Sequence, residues 1–122
     1  MKVKELSQKL NLRTLVEGDS ERAVEGCYCG DLLSWVMSRI KENDVWLTVM
    51  GKAPAGCAWV TVMGNMNSVA VASLAEIGAI VLADGVKPDE NAVKRAEENG
   101  INIYLSQKPV FDTALEIYKE IN

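Results

Sequence analysis

Short apolar runs alternate with helical stripes along most of this chain, and that alternation restricts the fold more than any other feature. From Gly30 onward the order is helix (Asp31 to Ile40), strand (Val45 to Met50), strand (Ala58 to Met63), helix (Asn67 to Glu76), strand (Ala79 to Ala83), helix (Pro88 to Asn99), strand (Ile101 to Leu105) and helix (Val110 to Ile121). Strands separated by helices predict an α/β domain of three layers, α/β/α, with a mostly parallel sheet covered on both faces. In such a sheet ligands bind beyond the carboxyl ends of the strands. Those ends are Met63-Gly64-Asn65-Met66-Asn67, Ala83-Asp84-Gly85 and Ser106-Gln107-Lys108.

Local signals fix several boundaries. Val3, Leu6 and Leu10 recur at helical spacing and predict a short amphipathic helix ending near Asn11. Arg13 to Glu17 reads as a strand, Gly18-Asp19-Ser20 as a turn, and Ala23 to Cys29 as a second strand. The helix after Pro88 has Asp89 and Glu90 in its first turn and Gly100 as its stop. The closing helix places Val110, Ala114, Leu115 and Tyr118 on one face.

Part of the sequence occurs twice. Trp46-Leu47-Thr48-Val49-Met50-Gly51 returns as Trp59-Val60-Thr61-Val62-Met63-Gly64, with Leu against Val as the only difference. Extended backwards, the copies run from Arg39 to Gly51 and from Lys52 to Gly64, a short tandem duplication. One such repeat is too few for a solenoid, which needs several units to bury a shared core. The segment between the two strands holds Pro54 and Gly56 and is too short for a parallel crossover, so an extra antiparallel strand or hairpin is expected. The second copy runs directly into the Asn67 helix and is the expected core strand. The first copy would protrude or pair with another chain, and Trp46, Val49 and Trp59 are the candidate interface residues of a homodimer.

A chain of 122 residues with 48% apolar and 25% charged residues forms one globular domain, 1-122. Its longest apolar stretches fall well short of the roughly 20 residues that span a bilayer, and its charged start lacks the pattern of a secretory signal. A cytoplasmic location is expected. The net charge is -4, with no Lys/Arg cluster to neutralise a row of phosphates, so nucleic acid is not an expected partner. Histidine is absent, which removes the commonest general base and metal ligand and, with it, Ser-His and Cys-His mechanisms within one chain. No cofactor and no catalytic residue are expected.

The candidate site residues each have an ordinary structural reading. Gly64, Asn65 and Asn67 stand between a strand and a helix, where free N–H groups attract anions; equally, Asn67 would cap the helix. Asp84-Gly85 follows the next strand and also suits a plain turn. Gly51-Lys52-Ala53 is not a phosphate-binding Walker loop, since it lacks the spaced upstream glycine and the following Ser/Thr. Cys27 and Cys29 alternate on a strand and share a face, close enough for one soft metal, or they serve as small buried hydrophobes with Cys57.

The segments Gly26-Cys27-Tyr28-Cys29-Gly30-Asp31-Leu32-Leu33-Ser34, Trp59-Val60-Thr61 with Asn67 and Val69-Ala70-Val71-Ala72, Val81-Leu82-Ala83-Asp84-Gly85-Val86-Lys87-Pro88-Asp89 and Ala96-Glu97-Glu98-Asn99-Gly100-Ile101 together resemble the small stand-alone DRTGG-domain proteins of anaerobic bacteria. The resemblance covers nearly the whole chain. It implies the three-layer fold shared with the N-terminal domain of HPr kinase/phosphorylase. The literal DRTGG string is absent, and Gly64-Asn65-Met66-Asn67 stands roughly where that loop would fall. The resemblance implies a non-catalytic regulatory and dimerising domain, with partners among signalling or hydrogenase-associated proteins. The expected ligand is a small anion, a nucleotide among the candidates, bound by Gly30, Asp31, Ser34, Gly64, Asn65, Asn67, Asp84 and Gly85. The alternatives are a cysteine-based metal or redox protein and a purely structural adaptor.

Overall fold

The computed structural model describes residues 1–30 and 56–121. Four helices and five strands fall within them: α1 (Val3–Lys9), β1 (Arg13–Val16), β2 (Cys27–Cys29), β3 (Ala58–Thr61), α2 (Met66–Leu74), β4 (Ala79–Leu82), α3 (Glu90–Asn99), β5 (Asn102–Leu105) and α4 (Val110–Ile121). The strands form one sheet in the order β1-β5-β4-β3-β2. β2, β3, β4 and β5 run parallel, and β1 lies antiparallel to β5. The expected three-layer α/β fold is the one observed. Its antiparallel member comes from the N-terminal segment, while the extra strand expected from Val45 to Met50 and the helix Asp31 to Ile40 lie outside the described residues.

Because strand side chains alternate between faces, the register divides the core in two. On one face Trp59, Ile80, Leu82 and Ile103 pack with Val69 and Ala72 of α2 and Ala92 and Ala96 of α3. On the other, Ala58, Val60, Val81 and Tyr104 pack with Val3 and Leu6 of α1 and Ile117 of α4. All four residues of β3 and all four of β4 are buried, as strands covered on both sides must be. The second repeat copy therefore supplies an interior strand, and the first copy lies outside the described residues.

Two expectations need correction. Asn65, not Asn67, caps α2: its side-chain oxygen accepts from the Ser68 backbone N–H at 3.0 Å and from the Ser68 hydroxyl at 3.2 Å. Asn67 is the second helical residue and is exposed. On α4 the inward stripe is Val110, Thr113, Ala114, Ile117 and Ile121, while Leu115 and Tyr118 are 41% and 57% exposed. That helix carries two apolar stripes. The buried one is selected by Thr113, whose hydroxyl meets that of Ser106 at 2.8 Å in the loop after β5.

Buried polar groups tie distant turns to the sheet. Asn102, at the start of β5, accepts from the Gly18 N–H at 2.8 Å and donates to the carbonyls of Asp19 and Gly78 at 2.9 and 3.0 Å. A buried amide satisfied on both ends fixes the position of the Gly18 turn. That turn admits no side chain, since a Cβ on Gly18 would lie 2.1 Å from the Gly100 carbonyl oxygen.

Candidate functional site at the carboxyl end of the sheet

The loops after β3, β4 and β5 meet at one rim. Gly64 follows β3, and its carbonyl accepts from the Asp89 N–H at 2.9 Å, which joins this loop to the start of α3. Asp84 and Gly85 follow β4 with φ of 58° and 68°, the left-handed conformation that Gly adopts freely and Asp tolerates. Their N–H groups donate to the Lys108 and Ser106 carbonyls at 2.8 and 3.0 Å. The structure thus brings Gly64, Asn65, Asp84 and Gly85 to the same end of the sheet, but these particular backbone donors already hold loop to loop. Gly30 ends β2 at the far side of the rim. Asp31 and Ser34 lie outside the described residues.

Cations gather at the other end of this rim, around the edge formed by β5 and β1. One cavity of about 280 Å³ is lined by Arg13, Leu15, Lys87, Pro88, Val93 and Leu105. A second, of about 300 Å³, takes in Asn11, Arg13, Leu105, Ser106, Gln107, Lys108, Thr113 and Glu116, with Leu10 and Leu12. Arg13 and Leu105 belong to both. They are paired in the register, so the two cavities adjoin across the end of one strand pair.

A bulge interrupts β1 beside these cavities. Arg13 pairs with Leu105 and Thr14 with Tyr104, whereas Val16, not Leu15, pairs with Ile103. The extra residue re-aims the strand, as bulges commonly do beside sites. Arg13 and Leu15, two residues apart, lie on the Leu105 face as in any strand, and the bulge lets Val16 enter the core on that same face. A regular strand would send Val16 to the opposite side.

The cations differ in their partners. Lys108 is held by Glu116, with its ammonium 2.5 and 2.9 Å from the two carboxylate oxygens. Among the described residues, neither Arg13 nor Lys87 forms an ion pair. The sequence marks Ser106-Gln107-Lys108 as a strand end and carries no local motif that singles out Arg13 or Lys87. Arg13 opens its strand, and only the antiparallel direction of β1 carries it to the carboxyl end of β5.

Cys27 and Cys29 do share a face of β2. Cys27 packs against the α1/α4 side of the core and Cys29 is exposed. A hydrogen bond from the Cys27 thiol lowers Cys29 to about 7, and the same bond, with burial, pushes Cys27 up. Cys57 belongs to the opposite face, and burial pushes it up to about 12. The three thiols therefore do not converge, and no group of three or more metal-ligating side chains occurs among the described residues. Trp59 is fully buried, and its indole N–H donates to the Gly30 carbonyl at 2.8 Å. That leaves its ring no surface to offer a partner.

These elements define a three-layer α/β/α domain with a mixed five-stranded sheet. The fold is similar to the crystal structure of the CBS and DRTGG domains of the regulatory region of Clostridium perfringens pyrophosphatase, solved with its activator, diadenosine tetraphosphate. The TM-score is 0.61 at 9% identity, and the match covers 95% of this chain and 45% of that one. The chain therefore spans less than half the length of that neighbour, and the likeness is one of fold. No protein-family model matches the sequence, and a search of curated proteins finds no match. No helix among the described residues is long and apolar enough to cross a membrane.

Proposed function

We propose that this chain is a regulatory domain that senses a small anionic ligand, a nucleotide among the candidates, and performs no chemistry on it. The observation that carries this reading is the fold shared, over nearly the whole chain, with part of a regulatory region that was solved with a nucleotide activator. The composition is in keeping with it: without histidine the chain lacks the commonest general base. The test is thermal unfolding of the whole chain with AMP, ATP and diadenosine tetraphosphate in turn. A ligand at a hundred times its Kd stabilises by about 2.7 kcal/mol, which raises Tm by roughly 10 °C in a chain of this size. We expect such a rise with at least one of them and no hydrolysis. Flat melting curves, or turnover, would contradict it.

The same reading includes a cytoplasmic homodimer engaging signalling or hydrogenase-associated proteins. Its sequence basis is the duplicated segment: the second copy supplies β3, and the first, with Trp46 and Val49, is the one assigned to pairing with another chain. Deleting Arg39 to Gly51 should convert the dimer to a monomer in sedimentation. An unchanged oligomeric mass would refute that part.

A second reading rests on the shared face of Cys27 and Cys29: a two-thiol site for a soft metal ion. Metal analysis of protein from its native host decides it. Stoichiometric metal lost in Cys29→Ser would support this reading over the first.

A further inference from the structure

We infer that the ligand site is the cleft around Arg13 and Lys87, and that its ligand is a small organic anion with a compact apolar or heterocyclic body, of the size of a nucleoside monophosphate. This rests on the sensing role proposed above and gives it a place. Three observations converge. The first is charge: Arg13 and Lys87 line one cavity together with no carboxylate on its wall, and neither has an ion pair among the described residues. Two exposed cations set toward the same space repel each other and are relieved by an anion between them, and a guanidinium offers paired donors to phosphate or carboxylate.

The second observation is the floor. Leu15, Val93 and Leu105 are only partly buried and form an apolar surface directly beside the cations. A body that covers this surface gains burial that inorganic phosphate cannot. The third is extension: the cavity continues past Arg13 to Asn11 and Gln107, whose amides can each donate and accept toward a heterocycle edge. Each cavity lies at or near the lower limit of common ligand sites, roughly 300 Å³, and the two together fall inside the usual range. By contrast, the N–H groups of Asp84 and Gly85 are committed to loop carbonyls.

The bulge at Leu15 lets Val16 enter the core on the same face as Arg13 and Leu15, so a buried residue anchors the strand beside the charge and the floor.

The experiment is calorimetric titration of the whole chain with AMP, with adenosine and inorganic phosphate as controls, repeated on Arg13→Gln, Lys87→Gln and Asn67→Ala. Circular dichroism checks that each variant is folded. The inference expects AMP to bind the parent chain more tightly than either control. It further expects each cation variant to lose about tenfold or more in affinity, the worth of one charged hydrogen bond, with Asn67→Ala unchanged. AMP binding that is equal in all variants, or lost only in Asn67→Ala, overturns this site and leaves the sensing role standing. No binding of AMP to the parent chain, alongside a response to ATP or diadenosine tetraphosphate in unfolding, overturns the ligand size claimed here; no response to any of them removes the sensing role as well.

Discussion

Two stretches of one rim differ in how their polar groups are used. Around Gly64, Asp84 and Gly85, loop N–H groups and carbonyls bind neighbouring loops, and Gly64 sits so close to Pro88 that a Cβ there would lie 2.8 Å from its Cα. Around Arg13 and Lys87 it is the side-chain charges that lack ion-pair partners among the described residues. The glycine-marked loops are built for packing. The cationic end is built on an edge strand whose outward residues do little for the core. Sequence features that announce tight backbone geometry thus mark where the fold is closed, and the open region is marked only by charge brought together from distant segments.

The comparison predicts unequal costs of substitution. Trp59→Ala, on the strand that feeds the Gly64 loop, should destabilise by about 3–5 kcal/mol in urea unfolding, because it empties a fully buried site and removes the indole N–H that donates to the Gly30 carbonyl. A cost below about 1 kcal/mol would mean that β3 is not an interior strand. Gly64→Ala should cost about 1–3 kcal/mol through overpacking against Pro88. Asn65→Ala follows at about 1 kcal/mol for loss of the α2 cap, whereas Asn67→Ala should be near neutral. If Asn67→Ala proved the costlier of the two, the assignment of the cap would be wrong. At the cationic end, Arg13→Gln and Lys87→Gln should change stability by no more than about 0.5 kcal/mol, since both are exposed and unpaired among the described residues.

Far from either stretch, β2 gives a pH-dependent signal. Cys29 is lowered to about 7 by the Cys27 thiol, so its thiolate fraction and its alkylation by iodoacetamide should rise through pH 7. Cys57, buried and pushed up to about 12, should react only on unfolding. In Cys27→Ala the midpoint for Cys29 should move upward, because the hydrogen bond that favours the thiolate is gone. An unmoved midpoint would show that Cys27 is not the cause.

Much of the fold was legible because its signals are local. Gly100 ends α3 as expected, in the left-handed conformation, though the helix begins at Glu90 with Asp89 as its N-cap residue rather than in its first turn, and α4 spans Val110 to Ile121 as read. What escaped depends on distant contacts. The inward stripe of α4 is chosen by the bond between Thr113 and Ser106, and nothing in its spacing separates Leu115 and Tyr118 from Ala114 and Ile117. The direction of β1 and its bulge at Leu15 are settled by pairing with β5, so neither the position of Arg13 nor its meeting with Lys87 can be read along the chain. The glycine loops were visible as loops, but the partners of their N–H groups were not.

The most direct measurement is amide chemical-shift mapping of the whole chain during titration with AMP. The account predicts that the largest saturable shifts fall on Arg13, Leu15, Lys87, Val93 and Leu105, with Gln107 next, and little change at Gly64 to Asn67. Shifts centred on Gly64, Asn65 and Asn67, with Arg13 and Lys87 silent, would contradict it.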